Sequence, residues 1–101
     1  MTIPFPAWLK ALEEEDLHFL KRLLLASGSL KAVAEEYKLS YPTVRSRLDR
    51  LIAKVRAAED PKITDAFHRK LQIMVADGLF PISVARKLLD AHREALQKER
   101  G

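Results

Sequence analysis

The sequence predicts an all-α fold, a helix-turn-helix trihelical core followed by a C-terminal helical hairpin. Three observations carry this. Apolar residues recur at helical spacing through successive segments of the chain. Residues that start or stop helices stand at the ends of those segments. No stretch alternates polar and apolar residues as a half-buried strand does, and there is no internal repeat or low-complexity run.

The opening Ile3-Pro4-Phe5-Pro6-Ala7-Trp8-Leu9 reads as an extended lead-in and a short helical turn that lays Phe5 and Trp8 on the core. A first strong helix follows from Glu14 to about Ala26. Glu13, Glu14, Glu15 and Asp16 gather at its N-terminus, where the helix dipole favours negative charge. Leu17, Leu20 and Leu24 form its recurring apolar line, flanked by Phe19 and Leu23, and Gly28 suits the left-handed residue beyond its end. A second, short helix spans Leu30 to Tyr37 with Ser29 as N-cap and Leu30, Val33, Ala34 and Tyr37 facing inward.

A third helix runs from Tyr41 to about Ala58. Ser40 caps it, and Pro42 sits in the first turn, where its missing N–H costs nothing. Val44, Leu48, Leu51, Ile52 and Val55 mark one face. Asp60-Pro61 then reads as an N-cap and a proline at the first helical position, opening a fourth helix to about Asp77 that buries Ile63, Phe67, Leu71, Met74 and Val75. Gly78 ends it. Pro81 and Ser83 open a last helix to about Lys98, apolar at Val84, Leu88, Leu89, Ala95 and Leu96. The chain divides into a helix-turn-helix unit over 1–58 and a hairpin over 59–101, which either completes the core or forms a dimer surface.

The chain has 101 residues, 48% of them hydrophobic, which suffices for one small core. It has no cysteine, so disulfides and thiolate metal sites are excluded. There is no long apolar run at the N-terminus to serve as a signal peptide or membrane span, and the expected setting is the cytoplasm. The formal net charge of +4 is concentrated in residues 29–58, with seven basic and three acidic side chains. A local field of that sign attracts phosphate, although an ordinary solvated helix face has the same look.

The segment from Ser29 to Ile52 gives that charge a geometry. Two helices are joined by only Lys38-Leu39-Ser40. Ala34 is the small residue that a close helix crossing needs, and Leu39 is the apolar residue expected to plug the turn. Val44, ten residues after Ala34, anchors the second helix. Lys38 stands where such a turn usually has glycine, at a cost of roughly 1 kcal/mol if the backbone there is left-handed. With Val44, Leu48, Leu51 and Ile52 turned inward, the other face is free. The N-terminal residues of a helix in the major groove reach base edges, while cations further along meet phosphate. On this reading Tyr41, Thr43, Arg45 and Ser46 read bases, and Ser40, Arg47, Arg50, Lys54 and Lys31 contact phosphate. The competing view is a plain helical hairpin within a bundle.

Residues from about Leu9 to Ile52 resemble an uncharacterised family of small prokaryotic proteins classed as transcription regulators. The resemblance rests on Gly28-Ser29-Leu30-Lys31-Ala32-Val33-Ala34 and on Leu39-Ser40-Tyr41-Pro42-Thr43-Val44-Arg45-Ser46-Arg47-Leu48-Asp49-Arg50-Leu51-Ile52. Members typically join an N-terminal zinc ribbon to this helix-turn-helix, and this chain has no cysteine to build one. More loosely, the helix pair is similar to those of Fis-type and sigma-factor region-four DNA readers. The resemblance implies a major-groove helix starting near Ser40, with Tyr41, Thr43, Arg45 and Ser46 at DNA-facing positions.

The expected partner is double-stranded DNA, bound by a homodimer, since a lone recognition helix makes few contacts and such readers often use paired half-sites. The alternative is an interaction module for RNA polymerase, a sigma factor or another regulator. No cofactor or metal site is expected, because His18, His68 and His92 do not share ligand spacing on one helix. With no nucleophile motif and no glycine-rich phosphate loop, no enzymatic role is assigned.

Overall fold

Six helices account for most of residues 5–100, which the computed structural model describes: α1 (Ala7–Lys10), α2 (Glu14–Leu25), α3 (Leu30–Tyr37), α4 (Tyr41–Glu59), α5 (Ala66–Ala76) and α6 (Ile82–Arg100). There is no strand among the described residues, and the fold is all-α. Ile3 and Pro4 of the expected lead-in lie outside the described residues. Phe5 is 67% exposed and does not reach the core, whereas Trp8 and Leu9 of α1 pack against it.

The helix ends explain the short connections. At the start of α2 the Asp16 carboxylate accepts the Glu13 backbone N–H at 2.9 Å, tying off one of the amides that a helix start leaves free. At its end the chain turns through two left-handed residues, Ser27 and Gly28. Gly28 N–H donates to Leu23 O at 2.8 Å and Ser27 N–H to Leu24 O at 3.0 Å. This is a Schellman ending whose first left-handed residue is Ser27, one position ahead of the glycine expected to provide it. Ser29 Oγ then accepts Ala32 N–H at 3.1 Å and starts α3.

α2, α3 and α4 enclose Phe19, Leu30, Val33, Ala34, Val44 and Leu51, with Leu12 closing one end. Phe19 is the centre of the α2 face, and Leu20 and Leu23 pack beside it. The expected line through Leu17 and Leu24 is therefore wrong in phase, since Leu24 is 72% exposed and Leu17 is also exposed. Leucine occupies five of the nine positions from Leu17 to Leu25, so spacing alone fits several facings. The larger area of Phe19 decides among them.

The C-terminal hairpin packs on the second half of α4 through α5, with Ala58, Ile63 and Leu71 buried there. The Asp60-Pro61 pair does not open α5, as the sequence suggested. The Asp60 carboxylate instead accepts Lys62 N–H at 2.9 Å and makes a turn, and the helix waits for Asp65, whose carboxylate accepts Phe67 N–H at 2.8 Å. Both aspartates follow the same local chemistry, side chain to the amide two residues on. Arg69 of α5 reaches back over the end of α4, donating to Ala57 O at 3.1 Å, Ala58 O at 2.8 Å and Ile63 O. A guanidinium there satisfies carbonyls that a helix end leaves unpaired and opposes the negative end of its dipole.

α5 ends at the left-handed Gly78, with Leu79 N–H donating to Met74 O at 3.1 Å. α6 returns along α5 with Ala85 buried and Leu89 and His92 half-buried. The His92 ring stacks on Phe67 with centroids 4.2 Å apart. Phe67 keeps its other face in solvent and is less buried than its apolar spacing suggested.

Candidate nucleic-acid interface

The joint between α3 and α4 is built from backbone hydrogen bonds. Lys38 is left-handed, with φ 55 and ψ 42. Leu39 N–H donates to Ala34 O at 3.0 Å and Lys38 N–H to Glu35 O at 3.3 Å. These two bonds reverse the chain within three residues and bring Val44 onto Ala34 and Val33, all of them buried. Leu39 itself is 40% exposed. It does not plug the turn as expected, because the backbone bonds close the joint and leave the side chain on the outer surface.

Ser40 Oγ accepts Thr43 N–H at 3.3 Å and lies 2.8 Å from Thr43 Oγ1. One hydroxyl of that pair donates to the other, leaving a single hydroxyl proton to point outward. Pro42 has no N–H and that of Thr43 is taken, so Tyr41 supplies the open amide of the first turn. The N-terminus of α4 thus offers an anion less than a bare helix end would.

Helical periodicity of about 100° per residue arranges the rest of α4 around this start. Tyr41, Thr43, Arg45, Ser46, Arg47 and Arg50 are all exposed. Ser46 stands opposite the buried Val44, with Arg45 on one flank and Arg47 on the other. Leu39, Pro42, Thr43, Ser46, Arg47 and Arg50 line a shallow open concavity on this surface. Lys31 is exposed on α3. Two acidic partners were not singled out from the sequence. Asp49 holds Arg45 at 3.3 Å, an i,i+4 pair exposed at both ends, and Glu36 holds Arg22 at 3.0 Å, linking α3 to α2. The spacing of Arg45 and Asp49 was the available signal for the first.

Lys54 is the clear correction. It is 1% exposed and cannot meet a phosphate. Its Nζ binds the Asp16 carboxylate of α2 and lies 3.3 Å from Asp77 at the end of α5. Burial works against its charge, but the hydrogen bond to Asp16 and the charges of Asp16 and Asp77 outweigh that and hold its pKa above the ordinary lysine value. Lys54 follows Leu51 by three residues and precedes Ala58 by four, so it sits on the buried line of α4. Its charge suggested the opposite face.

The arrangement defines a helix-turn-helix with a free, basic second helix. Residues 12–58 match a family model described as "Domain of unknown function (DUF2089)-HTH". That stretch overlaps the residues on which the sequence resembles an uncharacterised helix-turn-helix family. No curated protein and no solved structure matches the chain. No helix among the described residues is long and apolar enough to cross a membrane.

Proposed function

We propose that this protein binds double-stranded DNA in a sequence-specific manner through α4 and acts as a transcriptional regulator in a prokaryotic cytoplasm. The observation that carries the reading is the first half of α4, where Thr43, Arg45, Ser46, Arg47 and Arg50 are exposed together on a helix anchored from behind by Val44 and Leu51. The major groove is wide enough for such a helix. Tyr41, Thr43, Arg45 and Ser46 take the base-reading role. Arg47, Arg50, Lys31 and the outward hydroxyl of the Ser40–Thr43 pair take phosphate. Lys54 has no part in the contact and positions α4 instead.

Selection from a pool of random duplexes, followed by titration at several salt concentrations, tests the reading. The expected result is an enriched motif whose affinity falls steeply as salt rises, because each neutralised phosphate releases counterions. Failure to enrich any motif, with no salt-dependent affinity for duplex DNA, would overturn it.

A further inference from the structure

The molecule exposes 7777 Å² and has a radius of gyration of 16.9 Å. A compact monomer of its mass exposes about 5,800 Å². A chain of this length closes to a radius of about 13 Å. The excess of about 2,000 Å² is more than one partner contributes to a standard protein interface. α6 has 19 residues against 11 in α5, so part of its length runs beyond α5.

α6 buries or half-buries only Ala85, Leu89 and His92 on its α5 side. A second stripe, Val84, Leu88, Ala91 and Ala95, recurs at i, i+4, i+7 and i+11 and is exposed along its whole length. This 4-3-4 spacing is that of a coiled-coil seam. Its large residues lie in the first half and its small ones in the second. A parallel copy would set Val84 and Leu88 on themselves and leave a gap at the alanines. An antiparallel copy sets Val84 on Ala95 and Leu88 on Ala91, so that every layer pairs large with small. The same pairing brings Lys87, on the border of the seam, opposite Glu94 of the other copy, twice by symmetry.

We infer that the Val84–Ala95 stripe of α6 is a homodimer interface, in which two copies pair antiparallel about a two-fold axis. The α5–α6 hairpins of the two chains then form a four-helix arrangement. The inference does not use the DNA reading and is tested without DNA.

Light scattering at micromolar concentration is expected to give twice the chain mass. Leu88→Glu is expected to give the chain mass with helicity unchanged by circular dichroism. Lys87→Glu is expected to weaken association about tenfold, and adding Glu94→Lys to restore it, which a fold defect would not do. The absence of native cysteine allows a direct orientation test. Mixed Val84→Cys and Ala95→Cys chains are expected to crosslink to each other under oxidation. Neither is expected to crosslink to itself, since like positions lie roughly 16 Å apart along the seam. A monomer at all concentrations overturns the inference. So does self-crosslinking of Val84→Cys at the rate of the mixture, or a failure of the charge swap to restore association.

Discussion

At the residue scale, the side chain with most structural consequence is one that looks like a surface cation in the sequence. Lys54 joins α4 to the start of α2 and the end of α5 through Asp16 and Asp77. Lys54→Met keeps the volume but leaves two carboxylates facing each other, and is expected to lower unfolding free energy by ~3 kcal/mol in urea titration. Because the folded pKa of Lys54 is raised, its contribution is complete below the ordinary lysine value and is lost as pH rises through the folded one. The stability difference between wild type and Lys54→Met is therefore expected to hold near neutral pH and to shrink only in alkaline solution, above the ordinary lysine range. The arginines of α4 act on a different readout. Arg45→Ala is expected to cost about 1–3 kcal/mol on the selected duplex and to relax one base position, whereas Arg50→Ala weakens all duplexes alike and lowers the salt slope by about 1. Binding isotherms at several salt concentrations separate the two. The outward position of the α4 arginines was legible from spacing, because Val44, Leu48 and Leu51 fix the inward face. The position of Lys54 was not, because a lysine turns inward only when carboxylates distant in sequence meet it there.

At the element scale, the helix ends do most of the positioning. Lys38 adopts the left-handed conformation at a cost a glycine would not carry, and its side chain is exposed. Lys38→Gly is accordingly expected to stabilise the fold by about 1 kcal/mol, read as a rise in melting temperature. Arg69→Ala removes charged hydrogen bonds to three carbonyls and is expected to cost ~2 kcal/mol, with the loss of amide-exchange protection concentrated in the last two turns of α4. Helix existence and type were readable throughout, since capping residues and apolar spacing agree. One boundary and one facing were not. Asp60-Pro61 carries the signature of a helix start, yet the same carboxylate-to-amide bond also makes a turn, and Asp65 supplies the cap. In α2, leucine on several sides leaves the phase open until Phe19 takes the core.

At the scale of the whole molecule, the recognition surface and the exposed α6 seam lie on different parts of the chain and are connected through α4 and α5. If both inferences hold, DNA sites recovered by selection are expected to be palindromic, with half-sites separated by a whole number of turns, about 34–36 Å for the shortest. Insertion of half a turn between them is expected to abolish cooperative binding in a footprinting titration. Leu88→Glu is expected to retain weak binding to one half-site, because it leaves α4 untouched. This architecture was only partly legible. The sequence shows an amphipathic last helix, but the side of it that α5 covers depends on the Phe67–His92 stack, a tertiary contact that spacing alone does not give.

The length of α4 carries a mechanical implication. Its 19 residues form one uninterrupted helix, with Arg45, Arg47 and Arg50 exposed in its first half and the Arg69 clasp at the far end. Such a rod is about 28 Å long, so a tilt of about 10° at the clasp swings its tip by about 5 Å. That displacement exceeds the step of about 3.4 Å between successive bases on a strand. On the proposed DNA reading a tilt of that size would shift the contact by more than one base pair, so the Arg69 clasp and the packing of Val44 and Leu51 on α2 and α3 together set where the tip lands.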